Sequence, residues 1–331
     1  MIAAIIVIAI IFAALTFALV FKLSHYKFYS NASSDRQVPG LSDGLVQQGY
    51  DYIEDKNVYL ASGYMKDGSA SRVYVITSDE TKAISLYYAD GETEKEYTAH
   101  AGGIAHYGDF VYIADEEDDG DVAVFSLNDI LGEDSKATCI GRIKTPDKFN
   151  SSFCTVYGDY LYVGSFAKKD HEKYGRVKDF EVTVGDETNS SLILAYKLDP
   201  TKDFSVDTSA PELALSIGDL VQGMCFAGDG RIILSTSWSL SSSHLYFYSI
   251  DLTEAADASV KIGESDVPVY FLGEDELTLD LKAPPMAEEM VVVDGRVYIM
   301  NESASKKYIF GNFIGGRKLY SYPAGDEQFT K

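Results

Sequence analysis

The sequence predicts an all-β fold, a β-propeller of five four-stranded blades preceded by one N-terminal transmembrane helix. Three observations carry the prediction. A short β-rich core recurs five times after residue 45, each copy follows a turn signal, and 24 Tyr and 27 Gly against 8 Pro in 331 residues favour short strands joined by turns. Fifty-one acidic side chains against 28 basic ones give a net charge of -23, while 46% hydrophobic residues suffice for a large core. Such acidity repels phosphate backbones at long range and excludes nucleic acid as a partner.

Residues 1–21, MIAAIIVIAIIFAALTFALVF, carry no charged side chain. A helix of about 20 residues spans a hydrocarbon core of about 30 Å, and a soluble buried helix would show a polar stripe that is missing here. No Lys or Arg precedes the run, and a small-x-small cleavage site first occurs at Ser30-Asn31-Ala32, so the segment reads as an uncleaved anchor rather than a cleaved signal. Orientation is in conflict. Lys22 and Lys27 follow the helix and place the rest of the chain in the cytoplasm by the positive-inside rule, whereas an extreme N-terminal anchor suits an extracytoplasmic domain. The second reading is adopted: a single-pass protein of the cell membrane with its domain outside. Residues 22–44 read as a polar, turn-rich stalk, and 45–331 as the propeller domain. Three cysteines (Cys139, Cys154, Cys225) are too few for a disulfide framework.

The repeated cores are NVYLAS (57–62), FVYIAD (110–115), YLYVGS (160–165), RIILST (231–236) and RVYIMN (296–301). Each follows a turn signal, such as Gly108-Asp109, Gly158-Asp159 or Asp294-Gly295, and another apolar run precedes each turn, which is hairpin chemistry. Third strands follow at 72–77, 121–127, 191–198, 244–250 and 318–322. Fourth-strand candidates are 83–88, 138–143, 212–217 and 267–272. Four antiparallel strands repeated at this spacing are the pattern of a propeller. The fifth repeat lacks a fourth strand, so ring closure calls for one from residues 35–46.

Alignment on the second strands places Gln48, Gly102, Ser152, Gln222 and Glu288 at equivalent positions on the first strands, which line the channel of a propeller. With His100 two residues before Gly102 and Glu289 beside Glu288, these form a candidate polar ligand site at one channel mouth. The alternative is an ordinary water-filled channel lined by polar groups. The second-strand ends, Ser62, Asp115, Ser165, Ser235 and Asn301, form a second candidate ring for a ligand or for bonds between blades. Trp238, the one tryptophan, sits in a serine-rich loop where it suits stacking on a sugar or gap filling. The long loop from Phe166 to Asn189 carries His171, Tyr174 and Arg176. Asp115, Glu117 and Asp119 superficially match a calcium loop, but position 12 is Ser126 where a bidentate Glu is required, so no metal site is assigned and a solvated acidic turn is preferred. There is no H-E-x-x-H, C-x-x-C, phosphate loop or G-x-S-x-G elbow.

Over about 45–331 the blade pattern resembles bacterial anchored or secreted β-propellers. Propellers of the gluconolactonase and regucalcin type hold a divalent ion in the channel and open lactones. That likeness would give Glu288 or Glu289 to the ion or to general-base work with His100 as proton shuttle, but Gln48 and Gln222 stand where acid or Asn ligands are expected. Two functions follow. The first is a membrane-tethered module binding a glycan, peptide or protein without a cofactor, through Gln48, His100, Gln222, Glu288 and Trp238. The second is a lactonase-like hydrolase or lyase of a small polar substrate, with Ca²⁺ or another divalent ion at the channel mouth.

Overall fold

The computed structural model describes residues 2–91, 93–116, 120–308 and 310–325. Beyond residue 44 the chain folds into five mainly antiparallel blade sheets in sequence order, each beginning at an inner strand: Leu45–Ile53, Ile104–Tyr107, Ser151–Tyr157, Val221–Phe226 and Ala287–Val293. Each inner strand touches the next, and the last touches the first, which closes a ring of five blades. Five apolar seams alternate with the blades. One seam joins Leu60 and Val73 to Ile113 and Phe125 between blades 1 and 2, and another joins Tyr50 and Tyr59 to Val293 and Met300 between blades 5 and 1. Each hairpin between first and second strands holds a left-handed residue: Asn57, Gly108, Gly158, Gly230, and Asp294 with Gly295. The turn signals in the sequence are thus met by backbone geometry that Gly, Asn and Asp tolerate best.

The predicted second strands are those observed, at Val58–Met65, Phe110–Ala114, Tyr160–Ser165, Ile232–Thr236 and Arg296–Asn301. Outer strands differ from expectation. Residues 138–143 are split, Lys136–Cys139 pairing in parallel with the outer strand of blade 1 and Gly141–Ile143 forming the outer strand of blade 2. Residues 267–272 do not complete blade 4. They belong to Ser265–Phe271, which pairs in parallel with Leu213–Ile217 of blade 3, and blade 4 ends instead on Leu277–Ala283. With Thr93–Glu96 added to blade 1 and Ala258–Ile262 to blade 3, these two blades carry six strands each rather than four.

Closure comes from the N-terminal side. Ser33–Gln37 pairs antiparallel with Lys318–Pro323 and supplies the fourth strand of blade 5. Before it lie two helices, α1 (Ile2–Ser24) and α2 (Tyr26–Asn31). The segment read as a stalk thus contains α2 and the closing strand. Phe28 of α2 is buried and stacks on Tyr322 at 5.8 Å, and His25 lies between the helices with its Nε2 3.0 Å from the Ser242 hydroxyl. The sequence predicts a transmembrane helix over residues 1–21; among the described residues no helix is long and apolar enough to cross a membrane. The side chains at 2–4, 7, 10, 11 and 14 of α1 lie outside that description.

Candidate functional site at the channel mouth

The inner strands of blades 1, 3, 4 and 5 are each interrupted by a register shift: between Gln47 and Tyr50, Ser151 and Phe153, Val221 and Gly223, and Ala287 and Met290. These bulges carry Gln48, Ser152, Gln222 and Glu288, four of the five positions aligned from sequence; the fifth, Gly102, precedes strand Ile104–Tyr107 of blade 2. A bulge re-aims the side chain it carries, and here it does so near the end of each inner strand. Gly49 lies in the same bulge because blade 2 crowds it: a Cβ would sit 2.3 Å from the Ser62 hydroxyl and 2.5 Å from the Gly102 carbonyl.

The result is a cavity of about 280 Å³ at one mouth of the channel. Gln48, His100, Gln222, Glu288 and Trp238 all line it, so the five side chains singled out from sequence face one space. Members that the sequence did not single out for the site are Tyr64, near the end of strand Val58–Met65, and, from loops, Glu116, Glu302, Lys307 and Tyr308. Glu302 directly follows the second-strand end of blade 5, and only its place after Asn301 hinted at it. Gln48 Nε2 donates to the Glu302 carboxylate at 3.1 Å. Tyr64 stacks on His100 with ring centres 4.7 Å apart, and the Lys307 ammonium lies 4.8 Å from the Tyr64 ring and donates to its hydroxyl. Trp238 closes the opposite wall, edge-on to His171 at 5.2 Å and 6.2 Å from Phe166, with Lys168 Nζ 4.8 Å from its ring centre.

Carboxyl groups dominate the floor. Glu288 is 3% exposed and Glu302 9%. Burial, and then the neighbouring carboxyl and Glu116, push the Glu288 carboxyl well above the usual range, while Lys307 opposes the shift. Burial likewise raises Glu302, against the pull of Lys307 and the Gln48 hydrogen bond. Among the described residues no hydrogen-bond donor meets the Glu288 carboxylate; the Ser235 hydroxyl donates to its backbone carbonyl instead, at 2.6 Å.

Glu289 points the other way. Its Oε2 accepts the backbone N–H groups of Ile104 at 2.7 Å and Tyr50 at 3.0 Å, and its Oε1 accepts that of Cys154 at 3.3 Å. One side chain from blade 5 thereby ties blades 1, 2 and 3 together and fills the channel beneath the cavity. Consecutive residues on a bulged strand diverge, Glu288 facing the cavity and Glu289 the structural centre. Glu289 does not line the cavity.

Two members of the second ring bond between blades. Ser62 donates to the Gly102 carbonyl at 2.9 Å, and Ser235 reaches the backbone of Glu288. Asp115 is buried against Arg142 at 2.5 Å, with Asp121 beside the same guanidinium at 3.4 Å. Of the calcium-loop candidates, Asp115 is thus engaged by an arginine, and Glu117 and Asp119 lie outside the described residues. Among the described residues no group of three or more His, Cys, Asp or Glu is arranged to hold a metal ion. In the long loop of blade 3, Arg176 is paired with Asp219 at 2.8 Å, so it braces the loop rather than facing the cavity.

No protein-family model and no curated protein matches the sequence. Solved structures do match, and they are propellers. One is the PQQ-bound aldose sugar dehydrogenase of Streptomyces coelicolor, at 12% identity over 82% of this chain and 78% of that one, with a TM-score of 0.43. The WD40 β-propeller domain of Doa1 matches at 8% identity over 89% of this chain and 98% of its own, with a TM-score of 0.40. BamB from Moraxella catarrhalis matches at 8% identity over 84% and 85% of the two chains, with a TM-score of 0.35. The likeness is one of fold.

Proposed function

We propose that this chain is a membrane-tethered binding module, with its propeller on the extracytoplasmic side and a small polar group of a glycan, peptide or protein held at the channel mouth. One observation supports it above the others: Gln48, His100, Gln222, Glu288 and Trp238 come from blades 1, 2, 4 and 5 and line one cavity. Two amides, an imidazole and a carboxylate supply donors and acceptors, the tryptophan supplies an apolar wall, and Glu289 closes the bottom, so a ligand enters and leaves by one side. The Glu288 carboxylate, facing the cavity, is the group a ligand hydroxyl or ammonium would meet. For the tether, the support is the uncharged run 1–21 and the apolar side chains of α1, among which Ile5, Ile8, Phe12, Leu15, Phe17 and Leu19 are each more than half exposed. That much apolar surface calls for lipid or an apolar partner.

The test is a thermal-shift screen of the full chain in detergent against sugars, amines and short peptides, followed by Trp238 fluorescence titration of the hits. Binding weakened at least tenfold by Gln222→Ala and Glu288→Gln is the expected result. Hits that bind both variants as tightly as the parent place the ligand elsewhere and sink the reading.

A second reading, hydrolysis or elimination on a small polar substrate, is favoured by the Glu288–Glu302 pair alone. Two carboxyls raised by burial in one cavity can hold one proton between them, which supplies an acid and a base at neutral pH. A divalent ion would find the same carboxylates. Lactone and ester turnover with and without Ca²⁺, lost in Glu302→Gln while the variant stays folded, is the supporting outcome; turnover unchanged in Glu302→Gln and Glu288→Gln rules it out.

A further inference from the structure

The segment that joins α1 to the propeller is fastened at both of its ends. At the start of α2, His25 meets Ser242 at 3.0 Å, in the loop 237–242 that also gives Trp238 to the cavity. Midway, the Tyr29 hydroxyl donates to the Ile314 carbonyl at 3.2 Å, in the loop 302–317 that gives Glu302, Lys307 and Tyr308. At its far end, the Asn31 carbonyl accepts from Arg296 at 3.4 Å, next to the Asp294–Gly295 turn on the opposite face of the disc. The chain therefore passes from the cavity face to the opposite face along α2, and α1 meets the propeller at the cavity face with no spacer between them.

The two loops beside that junction differ from the rest of the surface. Outside residues 1–31 the exposed large hydrophobic residues among those described are Tyr88, Ile140, Tyr157, Leu240 and Phe313, and the last two sit on these loops at 64% and 59% exposure. In a chain with 51 acidic residues, 237–250 and 303–317 contain none. They contain Lys306, Lys307 and Arg317, which bond to the neutral oxygens of Ser42, Tyr64 and Asn312, and Lys22 lies 5.7 Å from the ring centre of Tyr29, which itself bonds to Ile314.

We infer that the sector of the cavity face built by loops 237–242 and 302–317 lies against an anionic lipid surface, with Leu240 and Phe313 entering the headgroup layer. The inference rests on the tether reading above. Basic side chains near an anionic leaflet contribute on the order of 1 kcal/mol each, and the repulsion from the distant acidic blades is screened beyond a Debye length of about 8 Å. Apolar tips beside basic side chains are the pattern of interfacial insertion. The cavity then opens toward the headgroup layer, and its ligand arrives along the membrane surface.

The experiment uses the full chain with Cys139→Ser, since Cys154 and Cys225 are buried. An environment-sensitive fluorophore is placed on Leu240→Cys, on Phe313→Cys and, as the opposite-face control, on Asp55→Cys. The protein is reconstituted into phosphatidylcholine vesicles with and without phosphatidylserine. The expected result is a blue shift and several-fold rise in emission at 240 and 313 but not at 55, larger with phosphatidylserine and reduced by Lys306→Glu with Arg317→Glu. Protein that floats with the vesicles while all three labels report water overturns the inference and leaves the tether standing. Protein that fails to float with vesicles of either composition overturns both.

Discussion

The Glu289 carboxylate of blade 5 accepts the backbone N–H of Ile104 in blade 2 at 2.7 Å, across the channel axis. The same group holds Tyr50 of blade 1 and Cys154 of blade 3, so a single acidic residue joins the inner strands of three other blades. Burial raises its carboxyl and the three amide donors oppose that rise. Removing the side chain leaves three buried N–H groups unsatisfied, each costing about 1–3 kcal/mol. Glu289→Ala is expected to lose several kcal/mol in urea unfolding, and Glu289→Gln less, because one carbonyl oxygen still accepts. A Glu289→Ala protein with parental stability would show that the channel centre does not hold the blades.

Glu288 and Glu302 predict the pH dependence of stability. Both carboxyls are raised in the folded protein, so above the usual carboxylate range of about 4.3 the folded state binds more protons than the unfolded one. Stability must then fall as pH rises through that window, by at most about 1.4 kcal/mol per pH unit for each proton retained. Glu302→Gln removes its share of the slope. Denaturation midpoints from mildly acidic to mildly alkaline pH should converge for the two proteins at the acidic end and separate at the alkaline end, with the variant the more stable there. Parallel curves would mean that Glu302 ionises normally.

What the sequence disclosed follows from what repeats. Second strands recur with a turn signal and an apolar alternation, and aligning them was enough to bring Gln48, Gln222 and Glu288 to one level, because the bulge that re-aims them recurs too. Outer strands escaped because an edge strand has one partner only. Nothing local in 267–272 states that it pairs with blade 3 instead of blade 4. Tyr64 lies past the repeated core, near the far end of strand Val58–Met65, Lys307 and Tyr308 come from a loop with no period, and the divergent roles of Glu288 and Glu289 depend on a bulge register that adjacency in the sequence conceals.

Gly49 gives a steric prediction at the same level of the channel. Its Cβ position lies 2.3 Å from the Ser62 hydroxyl, 2.5 Å from the Gly102 carbonyl and 2.8 Å from the Ile104 side chain. Two of those neighbours belong to blade 2, so an added methyl pushes blades 1 and 2 apart; overpacking of this kind costs about 1–3 kcal/mol or more. Gly49→Ala should lower the midpoint, whereas Ser→Ala at Ser152 in the blade 3 bulge, which adds no atoms, should cost about the 0.5–1.5 kcal/mol of its hydrogen bonds. Equal effects of the two substitutions would contradict the crowding argument.

Phe28 tests whether the N-terminal segment is part of the fold or an accessory to it. The ring is 2% exposed, stacks on Tyr322 at 5.8 Å and meets Tyr320 edge-on at 5.7 Å, and it packs in the seam between blades 4 and 5 with Phe247 and Val297. A few residues later Ser33–Gln37 completes blade 5, so loosening α2 also loosens the strand that closes the ring. Truncating a buried Phe costs about 3–5 kcal/mol in a core. Phe28→Ala should therefore lower the unfolding midpoint of the whole propeller and expose the chain between Asn31 and Gly44 to protease. Phe28→Leu, which keeps most of the volume, should restore much of both. Cleavage before residue 33 that leaves the midpoint unchanged would show that α2 merely rests on the propeller, and that Ser33–Gln37 closes blade 5 unaided.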